Sequence, residues 1–356
     1  MSILFRYVAR EVMMTSLLAL FALAGLFSFF DFVSELSNTR SETYTPLVAS
    51  LFVAMNLPGR LYELMPLAVL IGGMFAWNRL ALNSEFSVMR TAGLSTLRLV
   101  AWMVALGLVI GVATLLFGEY VTPYAERAAQ QLKVRATSGV VAQEFQSGLW
   151  AKDGRTFINI RELRPDASLV GVNLYEFDAN FSLKLMRHAE SAQWQDGQWM
   201  LRQVTQTLID SNGTRTAQQP DRPWVSAVTP DLLAVLMVMP ERMAMSALYT
   251  YIRHLDENLQ DSRRYRIAMW GKLAYPMAAP VMLMLALVFA FHPPRHGGTG
   301  GRLLTGILLG LGFHLSSRIA GQFALLQNWP APAPALIPIL VFGLAAFSAL
   351  WWIERR

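Results

Sequence analysis

The chain has 356 residues, 54% of them hydrophobic and only 15% charged, with 30 lysines and arginines against 24 acids. Soluble domains carry about 25% charge, so the composition excludes an ordinary soluble enzyme or binding module and points to an integral membrane protein. The chain has no cysteine, which excludes a disulfide framework, thiolate metal sites and cysteine nucleophiles.

A bilayer core of about 30 Å needs about 20 helical residues. Apolar runs near that length predict six spans, at about 13–36, 57–80, 98–120, 269–291, 303–326 and 335–353. The first reads as a span rather than a cleaved signal peptide, being long and without a small-residue cleavage site. Between spans two and three lies NSEFSVMRTAG, a short amphipathic helix at about 83–93. Phe86, Met89 and Gly93 can share one of its faces, and Glu85 and Arg90 are not placed to satisfy each other.

Residues 121–268 separate the two sets of three spans. TFINI and VNLYEF alternate as half-buried strands do, and WQDGQW places Asp196-Gly197 between strand-like runs, a strong hairpin signal. SNGT at 211–214 marks another turn. Strands spaced at roughly 8–12 residues from about 138 to 228 predict a sandwich or jelly roll. Helices are expected on both flanks, over 124–137 and 246–260. The expected fold is therefore a membrane α-helical protein of six transmembrane helices with an inserted β-jelly-roll-like domain on one side. Its units are 1–122, 123–268 and 269–356.

Charge sets the orientation. With the N-terminus inside, the cytosolic segments hold Arg6, Arg10, Arg79, Arg90, Arg98, Arg295, Arg302, Arg355 and Arg356, opposed by Glu11, Glu85 and Glu354. Segment 121–268 carries 17 bases and 16 acids and is nearly neutral. The basic excess is thus a positive-inside signal and not a nucleic-acid patch. Both termini are expected in the cytosol, with the central domain outside.

Tests for chemistry are mostly negative. GGTGGRLLTG lacks the Lys-Ser/Thr of a phosphate-binding loop, HExxH and GxSxG are missing, and the five histidines are scattered. No catalytic, cofactor or metal site is expected in this chain. Gly107-xxx-Gly111 and Gly306-xxx-Gly310 read as close helix packing. Charges inside spans are costly and face a partner, a cavity or a substrate. Asp31 and Glu35 in span one are candidates to pair with Arg318 in span five. Alternatively, Arg40, Arg60, Lys133, Lys272 and Arg318 form a basic rim for an anionic ligand, which phosphate would suit. A chain without a nucleotide site also gives NSEFSVMRTAG a reason to dock in a groove of a cytosolic partner. Glu85, Phe86, Met89 and Arg90 are its candidate coupling residues.

Three spans, a β domain, three spans and a short helix of the form SE-x-x-x-M-x-x-x-G resemble the LptF/LptG permease family of the lipopolysaccharide export system. GEYVTP at 118–123 and GLWAKDGRTFINI at 148–160 are similar to the LptG branch rather than the LptF branch, and RYRIAMWGK at 264–272 fits the same family. The resemblance covers the whole chain. It implies a heterodimer with an LptF-like permease on an LptB-like ATPase dimer that holds the ATP and Mg. It also implies an LptC-like partner and extraction of lipopolysaccharide from the outer leaflet of the inner membrane. By the same resemblance Glu85 engages the ATPase and Lys133 contacts substrate. The family's span-one lysines have no counterpart here, where Asp31, Ser37 and Asn38 stand in FFDFVSELSNTR. The basic contact is then expected at Arg40, Arg60 or Arg318, or cations bridge to the lipid A phosphates. Competing readings are an LptF paralogue, a permease for another lipid or a lipoprotein, and a membrane-anchored periplasmic scaffold or sensor.

Overall fold

The computed structural model describes residues 3–38, 44–136, 148–164, 168–210, 213–230, 232–233, 240–291 and 299–355. Ten α-helices and seven strands are described, the strands lying between α5 and α6. The helices are α1 (Ile3–Asn38), α2 (Pro46–Leu82), α3 (Glu85–Thr91), α4 (Thr96–Tyr120), α5 (Thr122–Ala136), α6 (Met245–Glu257), α7 (Arg263–Ala274), α8 (Ala278–Val288), α9 (Thr299–Leu326) and α10 (Ala333–Arg355). Helix α2 is the most enclosed of the long helices and forms the axis of the bundle. Its start is set by Thr45, whose hydroxyl accepts from the Val48 amide, and by Pro46 in the first turn, where no amide is missed. It stops at Asn83 and at Ser84, which has φ +62°. Val69, Leu70, Trp77 and Leu80 of α2 are buried with Val8 and Val12 of α1, Leu99 and Met103 of α4, and Met282 and Leu283 of α8.

Among the described residues, five stretches of continuous or nearly continuous helix are long and apolar enough to cross a membrane: Ile3–Ser37, Pro46–Leu82, Thr96–Lys133, Arg263–Phe291 and Ala333–Arg355. They contain the expected spans one to four and six. The expected fifth span coincides with the 28-residue α9. Both glycine pairs lie at contacts too close for a side chain. A Cβ on Gly107 or Gly111 would strike the backbone of Pro280 or Pro276. One on Gly306 or Gly310 would strike the side chains of Met74 or Leu67, so α9 packs by its small-residue face on α2.

The strands are β1 (Leu149–Asp153), β2 (Thr156–Leu163), β3 (Leu169–Phe177), β4 (Leu183–Gln195), β5 (Gln198–Asp210), β6 (Gly213–Gln219) and β7 (Arg222–Trp224). They form one antiparallel sheet in the order β1-β2-β3-β4-β5-β6, with β7 beside the first part of β5. The inserted antiparallel β domain is as expected, and among the described residues its strands run as a meander, with short turns at Gly154 and at Asp196-Gly197. Asp196 and Gly197 both have positive φ, at +48° and +80°, as a two-residue hairpin requires. Asp210 pairs with Gly213 across the SNGT turn. The expected strand start near 138 lies outside the described residues.

A single meander encloses a core because it is creased. Along each strand the buried positions change parity at one point: Ile158 and Ile160 then Leu163, Leu169 then Val172 and Leu174, Ala189 then Ala192, Trp199 and Leu201 then Val204. The register sets these points side by side, from Arg161 through Gly171, Glu190 and Gln203 to the break between β6 and β7 at Pro220. Gly171 and Gln203 on that line have φ +64° and +53°. Flipping the pleat there turns the apolar residues of both wings to the same concave side, where Val228 and Leu233 complete the core. The sheet is joined to the helices at its β1–β2 turn. The Lys152 ammonium donates to the Asn258 carbonyl at 3.0 Å, and the Gly154 amide donates to the Asn258 side-chain oxygen at 2.7 Å.

Candidate functional site

Two clusters lie about 36 Å apart along α1, from Tyr7 to Asp31, by its rise of about 1.5 Å per residue. The first surrounds α3. Phe86 is buried, with its ring edge-on to Trp77 at 5.9 Å and to Phe291 at 5.0 Å, and Met89 is buried beside it. Arg90 donates to the Leu94 carbonyl at 3.0 Å and to the Thr96 hydroxyl at 2.9 Å, and stands over the Phe291 ring. These three expected coupling residues therefore root α3 in its own bundle, because the face they share is the apolar one. The opposite face, Ser87, Val88 and Thr91, is exposed. Glu85 is half-buried at the margin, accepting a hydrogen bond from the Tyr7 hydroxyl at 2.7 Å.

The second cluster lies at the sheet end. Arg60 grips Asp31 with two nitrogens, at 2.6 and 2.5 Å, and reaches Glu63 at 3.0 Å. Arg242, on the short 3₁₀ turn before α6, donates to Glu63 at 3.0 Å and to Glu126 of α5 at 2.9 Å. Burial favours the neutral form of Arg242, but the carboxylates of Glu63 and Glu126 outweigh it and hold the guanidinium charged. Three carboxylates thus face two guanidinium groups. The other Glu126 oxygen is buried without a hydrogen-bond partner, close to where a Cβ would stand on Gly59. Lys133 pairs with Glu35 at 2.8 Å and sits over the Phe52 ring at 5.0 Å, and Glu35 also accepts from Tyr44. Lys272 is buried against Glu119 at 3.5 Å and the Gly118 carbonyl at 3.4 Å.

The expected pairing of Arg318 with Asp31 or Glu35 is not formed. Arg60 and Lys133 lie closer on the neighbouring helices and take those acids, while Arg318 is exposed and makes no salt bridge among the described residues. Arg318 still belongs to this level of the bundle. The α9 face that packs on Met74 and Leu67 continues at helical spacing through His314 to Arg318. Arg40 lies outside the described residues. The expected basic rim is accordingly neutralised at Arg60, Lys133 and Lys272. Sequence reasoning missed Glu63, Glu126 and Arg242. Glu63 had a visible signal, three residues after Arg60 on one helix, whereas Arg242 meets its partners only through the return from the sheet.

Such a cluster can exchange partners: an incoming anion that takes Arg60 from Asp31 removes one tie between the ends of α1 and α2 without leaving a guanidinium unpaired. Two curated relatives match at full length. The lipopolysaccharide export system permease protein LptG of Haemophilus influenzae is 31% identical over 353 residues, 99% of this chain and 98% of that protein. The protein of the same description from Escherichia coli K12 is 30% identical over 357 residues, with 99% and 98% covered. The family model described as lipopolysaccharide export system permease LptF/LptG matches residues 6–355. A match of that extent, over a helical bundle with an inserted sheet, identifies the chain as a member of the LptF/LptG family of lipopolysaccharide export system permeases.

Proposed function

We propose that this chain is the LptG-type permease subunit of an ATP-driven exporter that lifts lipopolysaccharide from the inner membrane into the periplasm. In this reading all six long apolar segments span the bilayer, α9 among them, with both termini and α3 in the cytosol. The units are 1–122, 123–268 and 269–356, and the sheet of the middle unit receives lipid. The chain supplies no nucleotide chemistry. An LptB-like ATPase dimer holding ATP and Mg binds under α3, an LptF-like permease completes the cavity, and an LptC-like protein takes the lipid onward.

The observation that carries the proposal is the mounting of α3. Phe86 and Met89 fix it to the bundle core, so a push on its outer face moves α2, α4 and Phe291 together rather than bending a loop. At the other end the lipid's phosphates meet Arg60, with Lys133 and Arg318 nearby, and exchange with Asp31. Charge-assisted hydrogen bonds to phosphate replace those to the carboxylate, so the swap leaves no guanidinium unpaired. Replacing Glu85 by Ala should leave the permease folded while the co-purifying ATPase and lipopolysaccharide release are lost. Unchanged ATPase recovery and release would refute this role.

A further inference from the structure

Helix α1 is uninterrupted for 36 residues, with Tyr7 near one end and Asp31 near the other. Its inner end is tied to α2 by Glu11 and Arg79 at 2.8 Å, and its outer end by Asp31 and Arg60. Helix α3 is attached differently. Its apolar face is packed on Trp77 of α2 and Phe291, and its charged Arg90 is bonded to the Leu94–Thr96 turn. The described polar link from α3 to α1 is the Tyr7 hydroxyl donating to Glu85 at 2.7 Å, across 78 residues of sequence.

We propose that Tyr7 is a positioning residue for Glu85 and the element through which α3 drives α1. The proposal rests on the reading of α3 as the ATPase-docking helix. A carboxylate has two oxygens and about four acceptor sites. Tyr7 takes Oε2, and among the described residues Oε1 meets only Asn83, at 3.5 Å, so a partner cation has an open oxygen on a side chain already fixed in direction. A force on Glu85 therefore divides, reaching α2 and α4 through Phe86 and reaching α1 through the Tyr7 hydroxyl. The rigid α1 carries the second share to Asp31, where the grip on Arg60 is broken or made. The bond needs the hydroxyl and not the ring, because Tyr7 is 40% exposed and contributes little packing.

The test is Tyr7→Phe, in the full complex with its ATPase and partner permease in proteoliposomes containing lipopolysaccharide. Tyr7→Phe should keep the bound ATPase and lower the thermal midpoint by only a few degrees, while lipopolysaccharide released per ATP hydrolysed falls roughly tenfold, the effect of losing about 1.4 kcal/mol from a charge-assisted bond. With Glu85→Gln, which keeps an acceptor for Tyr7 but not the charge, ATPase binding should weaken, the readout that Tyr7→Phe leaves intact. Wild-type release per ATP in Tyr7→Phe overturns the inference. Retention of ATPase binding in Glu85→Ala would instead overturn the docking reading beneath it, so the two failures are separable.

Discussion

The two ends of the bundle are held by different physics. At α3 the contacts are apolar and aromatic, with Phe86 wedged between Trp77 and Phe291, and a single hydroxyl–carboxylate bond runs to α1. At the sheet end five charged groups from α1, α2, α5 and the turn before α6 share one another's hydrogen bonds. Apolar packing is stiff and indifferent to salt, which suits a lever that must not deform. An ion network trades partners at little cost when another anion enters, which suits a gate. Under the proposed function, the stiff end is the one that receives force and the exchangeable end is the one that meets substrate.

The largest effect should come from breaking the stiff end. Phe86→Ala removes a buried ring and is expected to cost about 4 kcal/mol, lowering the midpoint of denaturation in detergent equally at low and high salt. Arg242→Ala is the matching break at the other end. It leaves Glu126, 5% exposed, buried without its cation, at a cost of about 3 kcal/mol. The loss should be largely recovered in Arg242→Ala with Glu126→Gln, since the acid that needed the cation is then neutral. If Arg242→Ala behaves like an ordinary surface change, the network is not what holds this end.

A smaller effect probes the hairpin that joins the two ends to the sheet. The Ser262 hydroxyl and the Arg266 guanidinium hold Asp256 below the usual carboxylate range. A carboxylate depressed in the folded state stabilises it above its ordinary pKa, near 3.9, and that contribution is lost as pH falls through the lower folded value. The α6–α7 turn should therefore loosen below about pH 4, and the fall in midpoint between pH 6 and pH 3.5 should be smaller in Asp256→Asn than in the parent chain.

The helices were legible in the sequence because hydropathy and length decide them locally. The Asp196-Gly197 turn was legible because its two-residue loop demands those residues. The crease was not. It lies on Gly171 and Gln203, and only the register sets them in line with Arg161, Glu190 and Pro220. Along a single strand each shift of parity looks like an interruption in the pattern. At the functional end, Asp31, Glu35, Arg60, Lys133 and Arg318 were all identifiable as costly charges near one level of the membrane. Their pairing was not, because spacing within one helix carries no information on which neighbour lies across from it. The amphipathic face of α3 was visible too, but period alone could not say whether Phe86 and Met89 point to a partner or to the chain's own core.

The central claim is that the exposed face of α3 is where the ATPase pushes. The chain has no natural cysteine, so Val88→Cys, 64% exposed on that face, gives a single attachment point. The decisive measurement is crosslinking from this position in the assembled complex. The account predicts that Val88→Cys joins the ATPase and that Tyr120→Cys, exposed at the far end of α4, does not. An intact complex in which Val88→Cys fails to reach the ATPase while Tyr120→Cys captures it would contradict the account.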